Sequence, residues 1–263
     1  MAKKNIARFS GIVYEVISKE PLAFIMQTKK GIDRFTYPLV VLDEHANPDI
    51  KENLIVRGRI VVVNGSIRTE KQEHTYECPE CGESVPTTYM NTYISADNIR
   101  VFARWKNDQN IYMNNVVLLG ALCREISFKY LNGTESPIGN AKFQLAVNRR
   151  KPGETDYPWV SSYARQAEED IKRIDKGSQV LVEGIVVTRN SEKIEECPHC
   201  QAELTITEPV AEIVAKTVEY LHNCNFDDVL KEADVVEVEE AKVEEEDDKD
   251  DKVPYDEKYK KEE

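Results

Sequence analysis

Long apolar runs are missing from this 263-residue sequence, and none approaches the length of a membrane span. The histidines are few and scattered, and no helix-borne H-E-x-x-H, phosphate-cradling glycine loop or nucleophile elbow occurs. We therefore expect no membrane association and no enzymatic activity of the classes that those motifs mark. The opening "MAKKNIARFSG" has two lysines but no apolar segment behind them, so no secretory signal is expected.

Acidic charge is concentrated in one segment. The formal net charge is −13, and residues 227–263, with 18 acidic and 7 basic side chains, contribute −11 of it. Dense like charge with few large apolar side chains cannot bury enough surface to offset chain entropy. The sequence predicts a disordered acidic tail over 227–263 behind a near-neutral folded body.

The body contains an internal repeat. "TYPLVV" at 36–41 matches "DYPWVS" at 156–161, and "CPEC" at 78–81 matches "CPHC" at 197–200. Such self-similarity with unequal loops indicates two duplicated units. We predict a first domain over 1–105 that carries CPEC and a second over 112–224 that carries CPHC.

Each unit has the pattern of a small β-barrel. "LIVRGRIVVVNG" at 54–65 matches "VLVEGIVVTRNS" at 180–191, and each is interpreted as an alternating strand with an interior glycine, Gly58 or Gly184. In the second unit "SYARQAEEDIKRIDKG" predicts a helix that stops at Gly177. Three strands, a helix and two more strands is the order of the five-stranded OB barrel. The predicted fold is mostly β, with two tandem five-stranded OB barrels followed by the tail.

The paired cysteines have the spacing of zinc knuckles. Structural zinc takes four ligands in a tetrahedron, commonly from two C-x₂-C pairs, and each pair here falls between two predicted strands. We expect a structural zinc ion that clamps the two units through Cys78, Cys81, Cys197 and Cys200. The alternatives are a site completed between two chains and a site that recruits His74 or His199. Redox chemistry is less favoured, because reactive C-x-x-C pairs normally open a helix.

The second unit resembles a known family. "NNVVLLGALCREISFKY", "GNAKFQLAVNRR", "TDYPWV" and "KGSQVLVEGIVVTR", spanning about 114–190, are together similar to the single-stranded DNA-binding proteins of bacteria and their phages. The resemblance implies sequence-tolerant binding of single-stranded DNA in replication, recombination or repair, in the cytoplasm of a bacterial cell. It also implies an acidic tail that recruits partner proteins and an oligomer, for which a dimer of tandem chains would supply four barrels.

The same resemblance indicates binding residues in the second unit. Tyr157 and Tyr163 fall where the family has base-stacking aromatics, and Lys129 falls at a basic position. Trp159 lies two residues from Tyr157 and is expected on the same strand face. The cationic cluster beside that face consists of Arg149, Arg150 and Lys151.

The first unit offers a weaker counterpart. Phe35 and Tyr37 alternate on a predicted strand and Arg34 adjoins them, so these residues are expected to contact DNA. Alternating strand aromatics are also typical of a barrel core, and that interpretation stays open here. The competing function is a zinc-stapled OB-fold adaptor that binds protein or RNA through the same groove.

Overall fold

A computed structural model describes residues 4–47, 49–102, 111–131, 137–149, 151 and 153–225. The acidic tail predicted over 227–263 and the candidate site residue Arg150 lie outside the described residues. Among the residues described, no helix is long and apolar enough to cross a membrane.

The first half of the chain closes into a barrel. Its elements are β1 Asn5–Lys19, β2 Leu22–Gly31, β3 Arg34–Thr36, β4 Leu39–Leu42, a short 3₁₀ turn Glu52–Leu54, β5 Ile60–Glu77 and β6 Ser84–Phe102. Strand β2 pairs with β1 and β4, β4 runs parallel to β6, and β6 returns through β5 to β1. This closed circuit of five strands is the expected OB arrangement.

The second half repeats that circuit. Its elements are β7 Met113–Leu122, β8 Ser127–Leu131, β9 Ile138–Asn148, β10 Thr155–Asp156, β11 Trp159–Tyr163, α1 Ala164–Arg173, β12 Gln179–Glu196 and β13 Glu203–His222. Strand β9 pairs with β7 and β11, β11 runs parallel to β13, and β13 returns through β12 to β7. The predicted fold of two tandem OB barrels is confirmed.

Matching hydrogen bonds fix the equivalence of the two barrels. The Asn5 side chain donates to Ile67 O and accepts from Ile67 N–H, both at 2.8 Å. The Asn114 side chain makes the same pair of bonds to Val186, also at 2.8 Å. Each asparagine thereby ties the first strand of one barrel to the long fourth strand of the same barrel.

The equivalent glycines differ from those matched in the sequence. Gly58 lies in the turn before β5 with φ +84° and so is not inside a strand. The counterpart of Gly184 is Gly65, because both lie at a register shift where their strands bend. A Cβ would approach Ser95 O to 2.0 Å at Gly65 and Val214 O to 2.5 Å at Gly184. Only glycine lets the backbones meet this closely.

Helix α1 is shorter than its sequence pattern suggests. It covers Ala164–Arg173 and ends four residues before Gly177, which instead occupies a turn with φ +96°. Ile174 leaves the helix in an extended conformation and packs into the core. Burial of this side chain, rather than a glycine cap, accompanies the end of the helix.

The two barrels share one hydrophobic core and one seam. Strand β1 pairs antiparallel with β7 from Asn5 opposite Leu118 to Ser10 opposite Met113. Side chains such as Phe9 and Leu118 are fully buried in a single cluster that continues through both barrels. Beyond the barrels, β5–β6 and β12–β13 extend as long hairpins, and these carry the cysteine pairs at their tips.

Candidate nucleic-acid-binding face and candidate metal centre

Strand pairing brings an aromatic and a basic side chain onto the outside of the second barrel. Trp159 lies opposite Gln144 and Ser161 opposite Lys142, while the alternate residues Val160 and Phe143 are fully buried. Because side chains alternate between the two faces of a strand, Trp159 and Lys142 share the outer face. Lys142 Nζ lies 5.1 Å from the centroid of the Trp159 ring, within cation–π range.

A buried carboxylate lies between the two cations of this face. Glu212 Oε2 lies 3.7 Å from Lys142 Nζ, and Glu212 Oε1 lies 3.5 Å from Arg189 Nε. Ser161 Oγ donates to the same carboxylate at 3.3 Å. Tyr163 completes the surface with 38% of its area exposed. Burial and the Glu212 charge raise the pKa of the Tyr163 hydroxyl, which therefore stays neutral. We call Lys142, Trp159, Tyr163 and Arg189 the outer platform.

Lys129 lies on the same side of the sheet as the outer platform. It is exposed on β8 and pairs with Asn140, which also pairs with Tyr163. Asn140 is thus flanked by a basic and an aromatic residue on neighbouring strands. In this arrangement the Lys129 ammonium group is on the same side of the sheet as the Tyr163 ring, within reach of the phosphates of a nucleic-acid strand that passes Tyr163.

Tyr157 is exposed, but it does not lie on a strand with Trp159. Pro158 has no N–H to donate, and residues 157 and 158 separate β10 from β11. The Tyr157 N–H donates to Thr69 Oγ1 at 2.7 Å, and its carbonyl accepts from Gln144 Nε2 at 3.0 Å. The backbone is therefore held from both sides while 40% of the residue remains exposed.

The cations predicted beside Tyr157 are engaged with carboxylates. Arg149 donates through Nε and Nη2 to Asp156 at 3.0 and 2.8 Å, and through Nη1 to Glu154 at 3.2 Å. Asp156 is fully buried and also binds Arg68. Lys151 Nζ lies 2.8 Å from Glu154 but is otherwise exposed. In this geometry Arg149 joins the barrels, and Lys151 can exchange its partner.

The candidate residues of the first barrel contact other aromatics. The rings of Phe35 and Tyr112 meet edge to face at 5.3 Å between centroids, and those of Tyr37 and Tyr14 meet at 5.1 Å. Arg34 is exposed on β3. Tyr37, like Tyr157, lies between two strands before a proline and is 40% exposed. The structure does not bring these residues onto one strand face.

Sequence reasoning missed Lys142 and Arg189 of the outer platform and the buried Glu212 that contacts both. A period-two signal was present for Lys142, because "AKFQLAV" alternates inward and outward side chains around Phe143. Arg189 and Glu212 lie 23 positions apart and meet only because β12 and β13 pair, with Arg189 opposite Val210. No local pattern could have connected them.

The two hairpin tips bring four cysteines together within a single chain. The sulfur atoms of Cys78, Cys81, Cys197 and Cys200 all lie within 4.8 Å of one another. Cys78 Sγ is 3.7 Å from Cys200 Sγ, and Cys81 Sγ is 3.8 Å from Cys197 Sγ. A tetrahedral ion with metal–sulfur bonds of about 2.3 Å requires sulfur atoms about 3.8 Å apart. The donor set and its dimensions therefore fit a tetrahedral metal ion.

Each knuckle is held by the same backbone bonds. Cys78 N–H donates to Glu83 O at 2.9 Å, and Cys197 N–H donates to Ala202 O at 2.8 Å. The turn is closed by Gly82 with φ +73° in one knuckle and by Gln201 with φ +63° in the other. Since a non-glycine residue rarely adopts such a φ, the second knuckle is restrained by its surroundings.

Charge in the cysteine cluster is unevenly shared. Burial opposes ionisation of Cys197, but the N–H groups of His199 and Cys200 and the adjacent thiols lower its pKa to about 6. The N–H of Glu83 favours the Cys81 thiolate, yet burial and the neighbouring thiols raise the pKa of Cys81 to about 12. Four thiolates so close together repel one another, and a bound metal cation would offset that repulsion.

The other candidate ligands lie outside the cluster. His74 packs its ring against Tyr89 at 5.1 Å between centroids, and neither His74 nor His199 belongs to the group of convergent donor atoms. Cys123 follows β7 and donates to Gln144 O, and Cys224 donates to Gln179 O. His74, Cys123 and Cys224 therefore have local partners away from the four clustered sulfur atoms.

Comparisons with known proteins agree with this architecture. The model of the "Single-strand binding protein family" matches residues 113–221, which cover the second barrel. Single-stranded DNA-binding protein 1 of Staphylococcus aureus is 32% identical over 44% of this chain and 70% of its own length. Single-stranded DNA-binding protein 4 of Streptococcus agalactiae is 36% identical over 30% of this chain and 59% of its own length.

A solved structure extends the fold likeness to both barrels. The single-stranded DNA binding protein of Thermus aquaticus superposes with a TM-score of 0.54 at 18% identity, covering 84% of this chain and 94% of that one. At 18% identity the match shows only that the two proteins have the same fold. The Staphylococcus aureus relative, 32% identical and covered over 70% of its length, together with the matching family model, establishes that this chain belongs to the single-strand binding protein family.

Proposed function

We propose that this protein is a non-enzymatic protein that binds single-stranded DNA with little regard to sequence. The observation that carries the proposal is the outer platform, where Trp159 and Tyr163 present rings beside Lys142 and Arg189. Every base has a π-face, so stacking on such rings tolerates any sequence, while the cations follow the phosphates. Family membership makes this the favoured use of the surface.

The binding path is proposed to extend from the outer platform along exposed neighbours. Tyr157 supplies a further ring, and Lys129 and Lys151 supply cations that are free to turn toward a phosphate. Arg150 and the first-barrel residues Arg34, Phe35 and Tyr37 remain predictions. For Arg149 the favoured role is structural, because four hydrogen bonds to Asp156, Glu154 and Thr69 already occupy its guanidinium.

We propose that the four cysteines hold a structural zinc ion. Zinc is favoured because it accepts four thiolates in a tetrahedron and carries no redox chemistry of its own. The ion would supply a cross-link between the hairpins of the two barrels and take no part in a reaction. On one side of it, Val85, Leu204 and Ile206 pack with Cys78 and Cys197 in a small buried cluster, whereas Cys81 and Cys200 face solvent.

The wider roles follow the family. We propose action in DNA replication, recombination or repair, with domains over 1–105 and 112–224 and an acidic tail over 227–263 that recruits partner proteins. An oligomer is proposed as well, with two copies of the chain bringing four barrels together. The tail is expected to compete weakly with DNA for the cationic surface, because both present negative charge.

A titration with labelled oligo-dT tests the proposed function. Wild-type protein is expected to bind with an affinity that falls steeply as salt rises. The double variant Tyr157→Ala with Trp159→Ala is expected to lose most of that affinity while retaining its thermal unfolding profile. Absence of oligo-dT binding by folded wild-type protein would contradict the proposal. Preferential binding of oligo-U would favour the alternative of an RNA-binding adaptor.

A further inference from the structure

The two barrels can be compared position by position because their strand registers coincide. Val40 pairs with Phe24 and Ile94, and Val160 pairs with Phe143 and Ile213 in the same antiparallel and parallel manner. In the hairpins Gly65 faces Ala96 and Gly184 faces Ala215. Every position of the outer platform therefore has a definite counterpart in the first barrel.

The counterparts have different chemistry. They are identified by counting along the paired strands: Ala23 replaces Lys142, Leu39 replaces Trp159, Asp43 replaces Tyr163, Glu70 replaces Arg189 and Tyr93 replaces Glu212. One cation is lost and the other is exchanged for an acid. Both aromatic rings of the outer platform are replaced, Trp159 by an aliphatic residue and Tyr163 by a carboxylate.

Acids occupy two of the equivalent positions in the first barrel. Glu70 is exposed on β5, and Asp43 accepts from Ser95 Oγ at 2.6 Å and from His45 N–H at 2.9 Å. These bonds, with the charge of Arg68, outweigh burial and lower the pKa of Asp43, so it is ionised at neutral pH. Glu70 places a negative charge where the second barrel has a cation, which opposes a polyanion. Asp43 is paired with Arg68 at 4.0 Å and puts a carboxylate where the second barrel has a ring, so this position offers no stacking surface.

We propose that each chain carries one outer platform for single-stranded DNA, on the second barrel, and that the equivalent face of the first barrel takes no part in binding. This inference rests on the proposed function and specifies where it is carried out. The duplicated barrels are thus specialised at these positions: both use the OB scaffold, and only the second presents rings and cations together at the outer platform. The predicted contacts of Arg34, Phe35 and Tyr37 lie at other positions of the first barrel.

Matched substitutions at equivalent positions test the division. Trp159→Ala is paired with Leu39→Ala, and Arg189→Gln is paired with Glu70→Gln, all measured by oligo-dT titration at several salt concentrations. Loss of one stacked base weakens binding by about fivefold or more, so Trp159→Ala should show at least that loss. Leu39→Ala should change affinity by less than about twofold.

The charged pair adds a second readout that does not depend on core packing. Arg189→Gln should reduce the slope of log affinity against log salt by about 0.7, the value for one released counterion on a single strand. Glu70→Gln should leave the slope unchanged and should not weaken binding. Thermal unfolding of each variant verifies that the chain remains folded.

The possible outcomes distinguish failure of the proposed division between the barrels from failure of the proposed function. Equal losses from Leu39→Ala and Trp159→Ala, or weaker binding by Glu70→Gln, would overturn the division of labour while leaving DNA binding intact. Failure of wild-type protein to bind oligo-dT at low salt would instead overturn the proposed function. An effect confined to the Trp159 and Arg189 variants supports a single platform per chain.

Discussion

Thr69 of the first barrel holds Tyr157 of the second through a 2.7 Å hydrogen bond from the Tyr157 N–H to Thr69 Oγ1. The equivalent bond runs the other way across the molecule, from the Tyr37 N–H to Thr188 Oγ1 at 2.9 Å. Each threonine belongs to the long hairpin of one barrel, and each tyrosine belongs to the turn before a proline in the other. The hairpins thus position an exposed ring on the opposite barrel.

Replacing Thr69 with valine should destabilise the protein and weaken DNA binding. The substitution leaves the Tyr157 N–H without its partner at a partly buried position, which costs about 1 kcal/mol in the free energy of unfolding. Thr69→Ser keeps the hydroxyl and should restore most of both losses. Chemical denaturation and oligo-dT titration measure the two effects. Wild-type stability in Thr69→Val would show that the hydrogen bond is not needed.

Removal of the proposed metal should loosen the hairpins before it unfolds the barrels. The protein should release about one zinc ion per chain to a chromogenic chelator after the thiols are blocked. Loss of the ion should lower the unfolding temperature, because a ligand that binds only the folded state stabilises it by mass action.

Cysteine variants provide the control for that experiment. Cys197→Ser should abolish stoichiometric zinc, whereas Cys123→Ser, outside the cluster, should retain it. Equal zinc content in the two variants would contradict the proposed site. A full complement of metal that appears only in dimers would instead indicate a site shared between chains.

Neutralising Glu212 should tighten DNA binding at low salt. Its buried carboxylate competes with phosphate for Lys142 and Arg189, and Glu212→Gln removes the charge but keeps an acceptor for Ser161. An ion pair at a surface is worth up to about 1 kcal/mol, so we expect a gain of up to about fivefold. Glu183→Gln, an exposed acid on β12, is the control. Weaker binding by Glu212→Gln would mean that the carboxylate positions the cations.

Arg149→Met should affect stability far more than the salt dependence of binding. Its removal takes two hydrogen bonds from the fully buried Asp156, which keeps Arg68 and the Thr69 N–H, and a hydrogen bond to a charged group is worth about 1.5–3 kcal/mol. The slope of log affinity against log salt should match that of wild-type protein. A normal unfolding free energy with a reduced slope would show that Arg149 contacts phosphate.

Asp170 should give the protein a distinct pH dependence. Burial raises the pKa of Asp170 above its ordinary value of 3.8, although Ser162, Gln166 and Tyr220 donate hydrogen bonds to its carboxylate. The folded state therefore keeps this proton to a higher pH than the unfolded chain does. Its contribution to the free energy of unfolding falls as pH rises from 3.8 through the raised pKa, then levels off.

Comparison with Asp170→Asn isolates that contribution. The variant has no titrating group at this position, so its stability should fall less than that of wild-type protein between about pH 4 and about pH 7. Urea denaturation across this range measures the difference. Parallel pH profiles for the two proteins would show that Asp170 titrates alike in the folded and unfolded chains.

Repeats and local motifs were sufficient to predict the barrels and the cysteine cluster. The two C-P-x-C pairs and the Tyr-Pro turns recur at nearly constant spacing, and duplication of one barrel explains both. The match of Gly58 to Gly184 was wrong, because similar runs of valine and isoleucine allow more than one alignment. Only the strand register identifies Gly65 as the position where the backbones touch.

The chemistry of the outer platform was harder to predict because it depends on pairing across strands. Arg149 lies in a basic run and resembles a phosphate ligand, yet the β9–β10 pairing, with Asp156 opposite Val147, brings its partner Asp156 within hydrogen-bond distance. No motif in the sequence marks Lys142 as a binding residue. Its candidate role depends on its contacts with Trp159 and Glu212, which lie on other strands. Local sequence patterns predict whether a side chain lies on the inner or the outer face of its strand. Which side chains it contacts there depends on the pairing of strands that are distant in sequence.

The seam between β1 and β7 joins strands of one polypeptide, from Asn5 opposite Leu118 to Ser10 opposite Met113. Contacts inside one chain have an effective concentration set by the tether and not by the amount of protein present. Dilution therefore cannot separate these barrels, as it could two barrels on separate chains. The two barrels therefore keep their relative orientation even at a very low concentration of the protein.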